Sequence, residues 1–184
     1  RQVLVIPTAA SAEEQAAWRA LAEGWARRYQ GVEVVRDDAV SALPSDRAIW
    51  VLGWDNRWAG EAARRLAADG LDAAAGTARL DGLAVTRGQH AVVLVAPEAD
   101  PAPLGFVGAD GASTIVALAR KLPHYTRYGR LVFAGEAVEN VLKDERRSAK
   151  SALTHFFTHA DVPRAPLPPE PVLAPQAAGL QGGL

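Results

Sequence analysis

Two residue types are missing altogether: the 184-residue chain contains no cysteine and no methionine. Without cysteine there are no disulfides, no thiol nucleophile and no thiolate zinc site. This does not fix the compartment, because a domain of this length needs no disulfide staple. A translated chain begins with Met, whereas this one begins with Arg1. The expectation is a processed or excised piece with more protein upstream. Strand-like residues start at Val3, which predicts a cut close to a domain boundary. Charge of one sign is also scarce in net terms. Twenty Lys and Arg against 21 Asp and Glu leave a formal charge of -1, so no global positive field favours nucleic acid or an anionic membrane. The longest apolar run is Ala91 to Ala96, far short of the roughly 20 residues that span a bilayer.

The composition, 49% hydrophobic and 22% charged, is that of a globular domain. Val3–Pro7 reads as a short β-rich run of the buried-strand kind. Ser11 and Glu14 match a capping box, and Trp18, Leu21, Ala22, Trp25 and Tyr29 form one apolar face at helical period, with Gly31 as the stop. Val32–Val35 and Ala48–Leu52 read as the next two strands. A second helix is predicted from about Asn56 to Asp69, with Ala59, Ala62, Ala63 and Leu66 inward. Leu83–Thr86 and Ala91–Ala96, joined through Gly88, read as a hairpin. Pro97–Pro103 is a connection. A third helix begins near Asp110 or Gly111 and stops at Pro123. Leu131–Ala134 is the last clear strand, and a final helix is predicted over roughly 148–158.

Six of the 12 prolines fall in residues 163–175, and the end is Gly-rich. The division expected is an α/β domain over 1–160 and a Pro/Gly-rich tail over 161–184. Alternation of strand and helix predicts an α/β three-layer sandwich with a mainly parallel sheet, of Rossmann or flavodoxin type. Its crossovers should be right-handed, with one antiparallel hairpin at an edge.

Several chemistries lack their parts. The turn after the first strand, Pro7-Thr-Ala-Ala-Ser11, has no glycine to let a pyrophosphate approach. Asp37, placed where a ribose-binding acid would lie, is therefore unsupported. Gly105, Gly108 and Gly111 read as a flexible lead-in to a helix, with an anion site as the alternative. His155 and His159 stand at i and i+4 but lack the Glu of a His-Glu-x-x-His site. They read as surface or capping histidines, with a metal pair as the alternative. No Gly-x-Ser-x-Gly elbow is present. Lys143–Lys150 reads as a solvated charged face, with a partner strip as the alternative. Trp50, Trp54 and Trp58 recur every four residues. Asp55 and Asn56 between them either cap the following helix or hold a polar ligand against the indoles. With Thr8, the residues Trp54, Asp55 and Asn56 define a candidate crevice at the carboxyl ends of the strands, where open α/β sheets bind ligands.

One ordered string remains: Lys121-Leu-Pro-His-Tyr125, then Tyr128, Leu131-Val-Phe133, Glu139-Asn-Val141 and Lys143. It resembles a segment in the C-terminal region of bacterial M1-family (gluzincin) aminopeptidase-like proteins. That segment runs Leu-Pro-His-Tyr-Gly-Lys-Tyr-Ser-Tyr-Leu-x-Phe, then Asn-Val-x-Lys-Gly and Ser-Pro-Leu. The likeness covers about 35 residues, Arg120 to Leu153, with Ser151–Leu153 a loose match to the last element. Thr126-Arg127 stands in place of Gly-Lys, Gly129-Arg130 in place of Ser-Tyr, and Asp144 in place of Gly.

The resemblance implies a Rossmann-like accessory domain that is not itself an enzyme. Its partner would be an upstream peptidase domain of the same chain, and its location periplasmic or exported. Zinc is implied only for that peptidase domain, so no catalytic residue, metal ligand or cofactor carries over to this fragment. His124, Tyr125 and Tyr128 are the residues of the string put forward for binding or for wedging a loop between helix and strand. The alternative is a small-molecule or peptide-binding module that uses the strand-end crevice.

Overall fold

The structure is a computed structural model and describes residues 1–145. Nine strands and three helices follow in the order β1 (Gln2–Ile6), α1 (Ala12–Arg28), β2 (Val32–Arg36), β3 (Ala48–Leu52), α2 (Ala59–Arg65), β4 (Thr77–Leu80), β5 (Leu83–Thr86), β6 (His90–Ala96), β7 (Leu104–Gly108), α3 (Ala112–Lys121), β8 (Arg130–Ala134) and β9 (Glu139–Asp144). Short 3-10 turns at Ala67–Asp69 and Leu122–His124 follow α2 and α3.

Seven strands form one mixed sheet in the order β2-β1-β3-β7-β6-β8-β9, and β4 and β5 form a separate antiparallel pair. β2, β1, β3 and β7 are mutually parallel. β6 runs against both β7 and β8, and β9 against β8. Five of the seven strands therefore share one direction, so the sheet is mostly parallel.

Alternating side chains of the central strands feed two separate cores. Val3, Val5, Ile49, Val51, Val92, Leu94, Leu104, Phe106 and Val132 meet α2 and the β4–β5 pair. Leu4, Ile6, Leu52, Ala91, Val93, Val107, Leu131 and Phe133 meet α1 and α3. Burial on both faces is why these strands are near-continuous apolar runs. The edge strand β9 instead alternates between exposed and half-buried positions.

The capping box on α1 is present in full. The Ser11 hydroxyl accepts from the Glu14 amide, and the Glu14 carboxylate accepts from the Ser11 amide. Trp18, Leu21 and Ala22 are buried on the inner face.

Several expectations need correction. Leu83–Thr86 does not pair with Ala91–Ala96. β5 turns back onto β4 through Asp81-Gly82, both at positive φ. β6 lies inside the large sheet rather than at its edge. The edge hairpin is β8–β9, whose second strand lies in a segment of low apolar content that gave no strand signal. Gly105 and Gly108 lie within a buried strand, β7, and do not form a lead-in. The second helix is shorter than Asn56–Asp69, because the Asn56 side chain is bonded to the sheet and residues 67–69 tighten into a 3-10 turn.

The crossover rule also fails in one place. β1-α1-β2 and β7-α3-β8 move in opposite directions along the sheet, yet α1 and α3 cover the same face. The two connections therefore have opposite hand. The second spans the antiparallel β6 and does not join neighbouring strands. The final helix over 148–158, the His155 and His159 pair, most of the Lys143–Lys150 run and the tail lie outside the described residues. The described start of that run, Lys143 and Asp144, belongs to β9.

Candidate functional site

Two regions bear on function, one at each end of the parallel strands. The first is at the carboxyl ends, where the chain leaves β1 one way along the sheet and leaves β3 the other way. An α/β sheet opens a ligand crevice at such a switch point. Here Asn56 fills it. Its side-chain amide donates to the carbonyls of Val5 (2.9 Å) and Leu52 (3.0 Å), at the ends of β1 and β3, and its Oδ1 accepts from the Trp58 amide (3.0 Å).

Asp37, just after β2, is 1% exposed. Its carboxylate accepts from the Thr8 hydroxyl (2.6 Å) and the Arg57 amide (2.8 Å), and its carbonyl accepts from Trp58 Nε1 (3.2 Å). Gln15 of α1 donates to the carbonyls of Thr8 and Ala10. Thr8 and Asn56 thus hold loops and strand ends together. Trp54 is buried edge-on against Phe106, with ring centroids 5.2 Å apart. It occupies the space above Gly108, where a Cβ would stand 2.5 Å from the indole.

Asp55 faces outward into an ion-pair chain. Arg87 grips both Asp55 oxygens (2.6 and 2.8 Å) and reaches Asp110 through Nε (2.8 Å), while Asp110 also accepts from the Gly88 amide. Hydrogen bonding to Asp55 raises the Arg87 pKa further above its ordinary value, and burial partly opposes this. Burial holds the Asp110 carboxyl above its usual range, against the pull of Arg87. Glu14 is shifted the other way. Its second oxygen accepts from the Gly111 amide at the start of α3 (2.8 Å), and that bond holds its carboxyl below the usual range.

A depression of about 300 Å³ beside this chain is lined by His90, Asp110, Thr114 and Glu136. His90 Nδ1 accepts from the Thr86 amide (3.2 Å). Among the described residues no group of three or more His, Asp or Glu is placed to hold a metal ion.

The second region lies at the amino ends of the parallel strands, on the face covered by α1 and α3. The C-terminal half of α1 and the end of α3 border a groove of about 560 Å³. Trp25 and the small Gly24 come from α1 and Tyr29 from its C-cap, and Trp50, Val93, Val95 and Leu131 form the floor. Leu122, Pro123, Tyr125 and Tyr128 form the far wall.

Trp25 and Trp50 are 4.9 Å apart between ring centroids and tilted by 52°, while Tyr125 and Tyr128 are 6.0 Å apart and tilted by 50°. Tyr125 also stands edge-on to Phe133 (5.4 Å), which seats the turn after α3 against β8. Trp50 lies across β7 because residue 105 is glycine: a Cβ there would be 2.3 Å from the indole. Arg28 and Arg127 stand at the rim, Arg127 bonded to Glu145 (3.1 Å) and to the Tyr128 hydroxyl (3.0 Å). His124 is exposed and does not line the groove.

The seven residues put forward from sequence therefore fall into two groups that do not meet. Thr8, Trp54, Asp55 and Asn56 are at the carboxyl ends, and His124, Tyr125 and Tyr128 are at the other end of the sheet. Trp25, Tyr29 and Trp50 join Tyr125 and Tyr128 in the groove, a role not read from sequence. A compositional signal was available, because all three tyrosines of the chain line this one groove. No protein-family model matches the chain, and no curated protein matches it.

Proposed function

We propose that this chain is a non-catalytic accessory domain of an M1-like zinc aminopeptidase-type protein, packing against or regulating a peptidase part of the same polypeptide. Zinc belongs to the peptidase part in this reading, and the domain is a three-layer, Rossmann-like companion. The observation that carries the proposal is that the resembling string forms one contiguous unit. It makes the end of α3, the Tyr125–Gly129 turn and the β8–β9 hairpin, with Tyr125 wedged against Phe133.

Two positions at which the string departs from the family pattern face each other. Arg130 and Asp144 are cross-strand partners, joined at 2.9 Å. The pair ties the open end of the β8–β9 hairpin together, which fits a structural part for the string. A non-catalytic role is further supported by the strand-end crevice, where the side chains of Thr8, Asp37 and Asn56 are bonded to other parts of the chain.

The test is an assay of the 184-residue chain with zinc against aminoacyl reporter substrates, alongside the sequence of the polypeptide preceding Arg1. Background hydrolysis and an upstream His-Glu-x-x-His helix are expected. Turnover by the isolated chain at enzyme rates, or an upstream polypeptide without that motif, would overturn the reading. The second reading, a small-molecule or peptide-binding module, loses the strand-end crevice first expected for it, where Asn56 and Asp37 are bonded within the chain, and is favoured instead by the aromatic groove at the opposite end of the sheet, whose volume is that of ordinary ligand sites.

A further inference from the structure

We propose that the β4–β5 pair is a flap that opens as a unit from the large sheet and is latched shut by two arginines, each bridging two carboxylates. The device goes beyond both readings above and depends on neither.

The first ground is how the pair is attached. β4 and β5 form a ladder with each other and with no strand of the large sheet. Ala78, Leu80 and Val85 are buried, while Arg79, Ala84 and Thr86 on the other face are exposed. The buried three share one apolar cluster with Leu94 of β6, Phe106 of β7 and Val132 of β8. An isolated two-stranded hairpin is marginally stable at best, so this small apolar face and the two ends keep it closed. Glycines at positive φ flank the segment, Gly70 (61°) and Gly88 (80°). A Cβ at Gly88 would meet nothing within 4 Å, so the chain has room to swing there.

The second ground is the pair of latches. At the tip, Arg130 of β8 holds Asp81 (3.2 and 3.3 Å) and also Asp144 of β9 (2.9 Å). At the base, the Arg87 amide closes the hairpin onto the Gly76 carbonyl (2.7 Å), and its guanidinium holds Asp55 and Asp110. The Thr86 amide adds one bond, to His90 Nδ1. Both ends are thus tied down by charge. The latches are partly exposed, so each is modest in strength and weakened by salt. Opening presents the apolar side chains of β6, β7 and β8 without breaking any ladder of the large sheet.

The test is native-state hydrogen exchange of the full chain, read residue by residue by NMR. The bonded amides of β4 and β5 should share one opening constant. They should exchange at least about tenfold faster than those of β3 and β7, and depend only weakly on sub-denaturing urea, because little surface is exposed when the flap opens. Asp81→Asn removes the tip charge but keeps a residue that accepts positive φ, and Asn-Gly is a favoured hairpin turn. A hairpin held by its turn alone would be protected as well or better in that variant. With the latch lost, its amides should exchange about two- to fivefold faster, and Arg87→Gln should act likewise at the base. Raising sodium chloride from about 0.05 to 1 M should speed β4–β5 exchange in the parent several-fold and leave the double variant nearly unchanged.

Exchange of β4 and β5 at the rate and urea dependence of β3 and β7 would overturn the proposal, as would fraying residue by residue from the tip. Unaltered β4–β5 exchange in both variants, or equal acceleration by salt in the parent and the double variant, would overturn it as well.

Discussion

Gly105→Ala isolates the contact that builds the groove floor. The new methyl would sit 2.3, 2.5 and 2.7 Å from three carbons of the Trp50 indole. Carbon atoms settle at about 3.5–4.0 Å, so the ring must move by more than about 1 Å. It cannot do so freely, because its other neighbour is Trp25 at 4.9 Å. Overpacking of this kind costs about 1–3 kcal/mol. The lower unfolded-state entropy of alanine offsets about 0.4–1 kcal/mol of that. A net loss of about 1–2 kcal/mol corresponds to a fall in melting temperature of roughly 3–8 °C for a domain near 150 residues.

The assay is thermal and urea unfolding in a double-mutant cycle with Trp50→Leu. In the Leu background the methyl has room, and Gly105→Ala should be neutral or slightly stabilising, giving a coupling of at least about 1 kcal/mol. Near-ultraviolet circular dichroism of Gly105→Ala should change as the Trp25–Trp50 pair is disturbed. An unchanged melting temperature in the single variant, or an equal loss with and without Trp50, would refute this account.

Three further outcomes follow from the carboxyl-end network. Asn56→Ala leaves the Val5 and Leu52 carbonyls and the Trp58 amide without their partner. The expected loss is about 2–4 kcal/mol in urea unfolding, and Asn56→Asp should cost more at neutral pH, since it turns a carboxylate toward two carbonyls. Glu14 has a folded pKa below its ordinary 4.5. Its contribution is therefore present above about pH 4.5 and disappears as pH falls through the folded value. Glu14→Gln should flatten the loss of stability between pH 5 and 3, and an identical acid limb in the variant would refute the assignment. Arg87→Ala removes the cation shared by Asp55 and Asp110. A loss of about 1 kcal/mol is expected for these partly exposed pairs, and carboxyl titration by NMR should show the Asp110 pKa, already raised by burial, moving higher still.

The parts of the fold readable in the chain are those in which local chemistry and burial agree. Ser11 and Glu14 announce α1, and continuous apolar runs announce β1, β3 and β6, because both faces of those strands are buried. The failures have physical causes. β7 contains two glycines in five residues, Gly105 and Gly108, which lowers its apparent strand propensity. Their absent side chains are the space occupied by Trp50 and Trp54, a tertiary fact that no local pattern carries.

The partner of β5 is not fixed by local pattern, because a Gly-containing link suits a hairpin on either side of a strand. Asp81-Gly82 offered the tighter turn. At the candidate sites, the sequence placed Thr8, Asp55 and Asn56 at the strand ends. It could not show that Asp37, 29 residues from Thr8 along the chain, takes the hydroxyl that a ligand would need. The groove was hidden because Trp25 and Tyr29 continue the inward stripe of α1. Only the tertiary structure shows that they line a groove and are not sealed in the core.

β3 and β7 lie side by side although about fifty residues separate them, and the segment between contains α2, β4, β5 and β6. Closing a loop of that length costs entropy before any pairing rewards it. The join is fastened on both faces: Trp50 seals it on one side over Gly105, and Trp54 on the other over Gly108. Neither half of the sheet can release the other without withdrawing an indole from a glycine notch. The parallel and antiparallel halves are thereby bound into a single cooperative unit, and hydrogen exchange should find β3 and β7 opening together, among the last strands to do so.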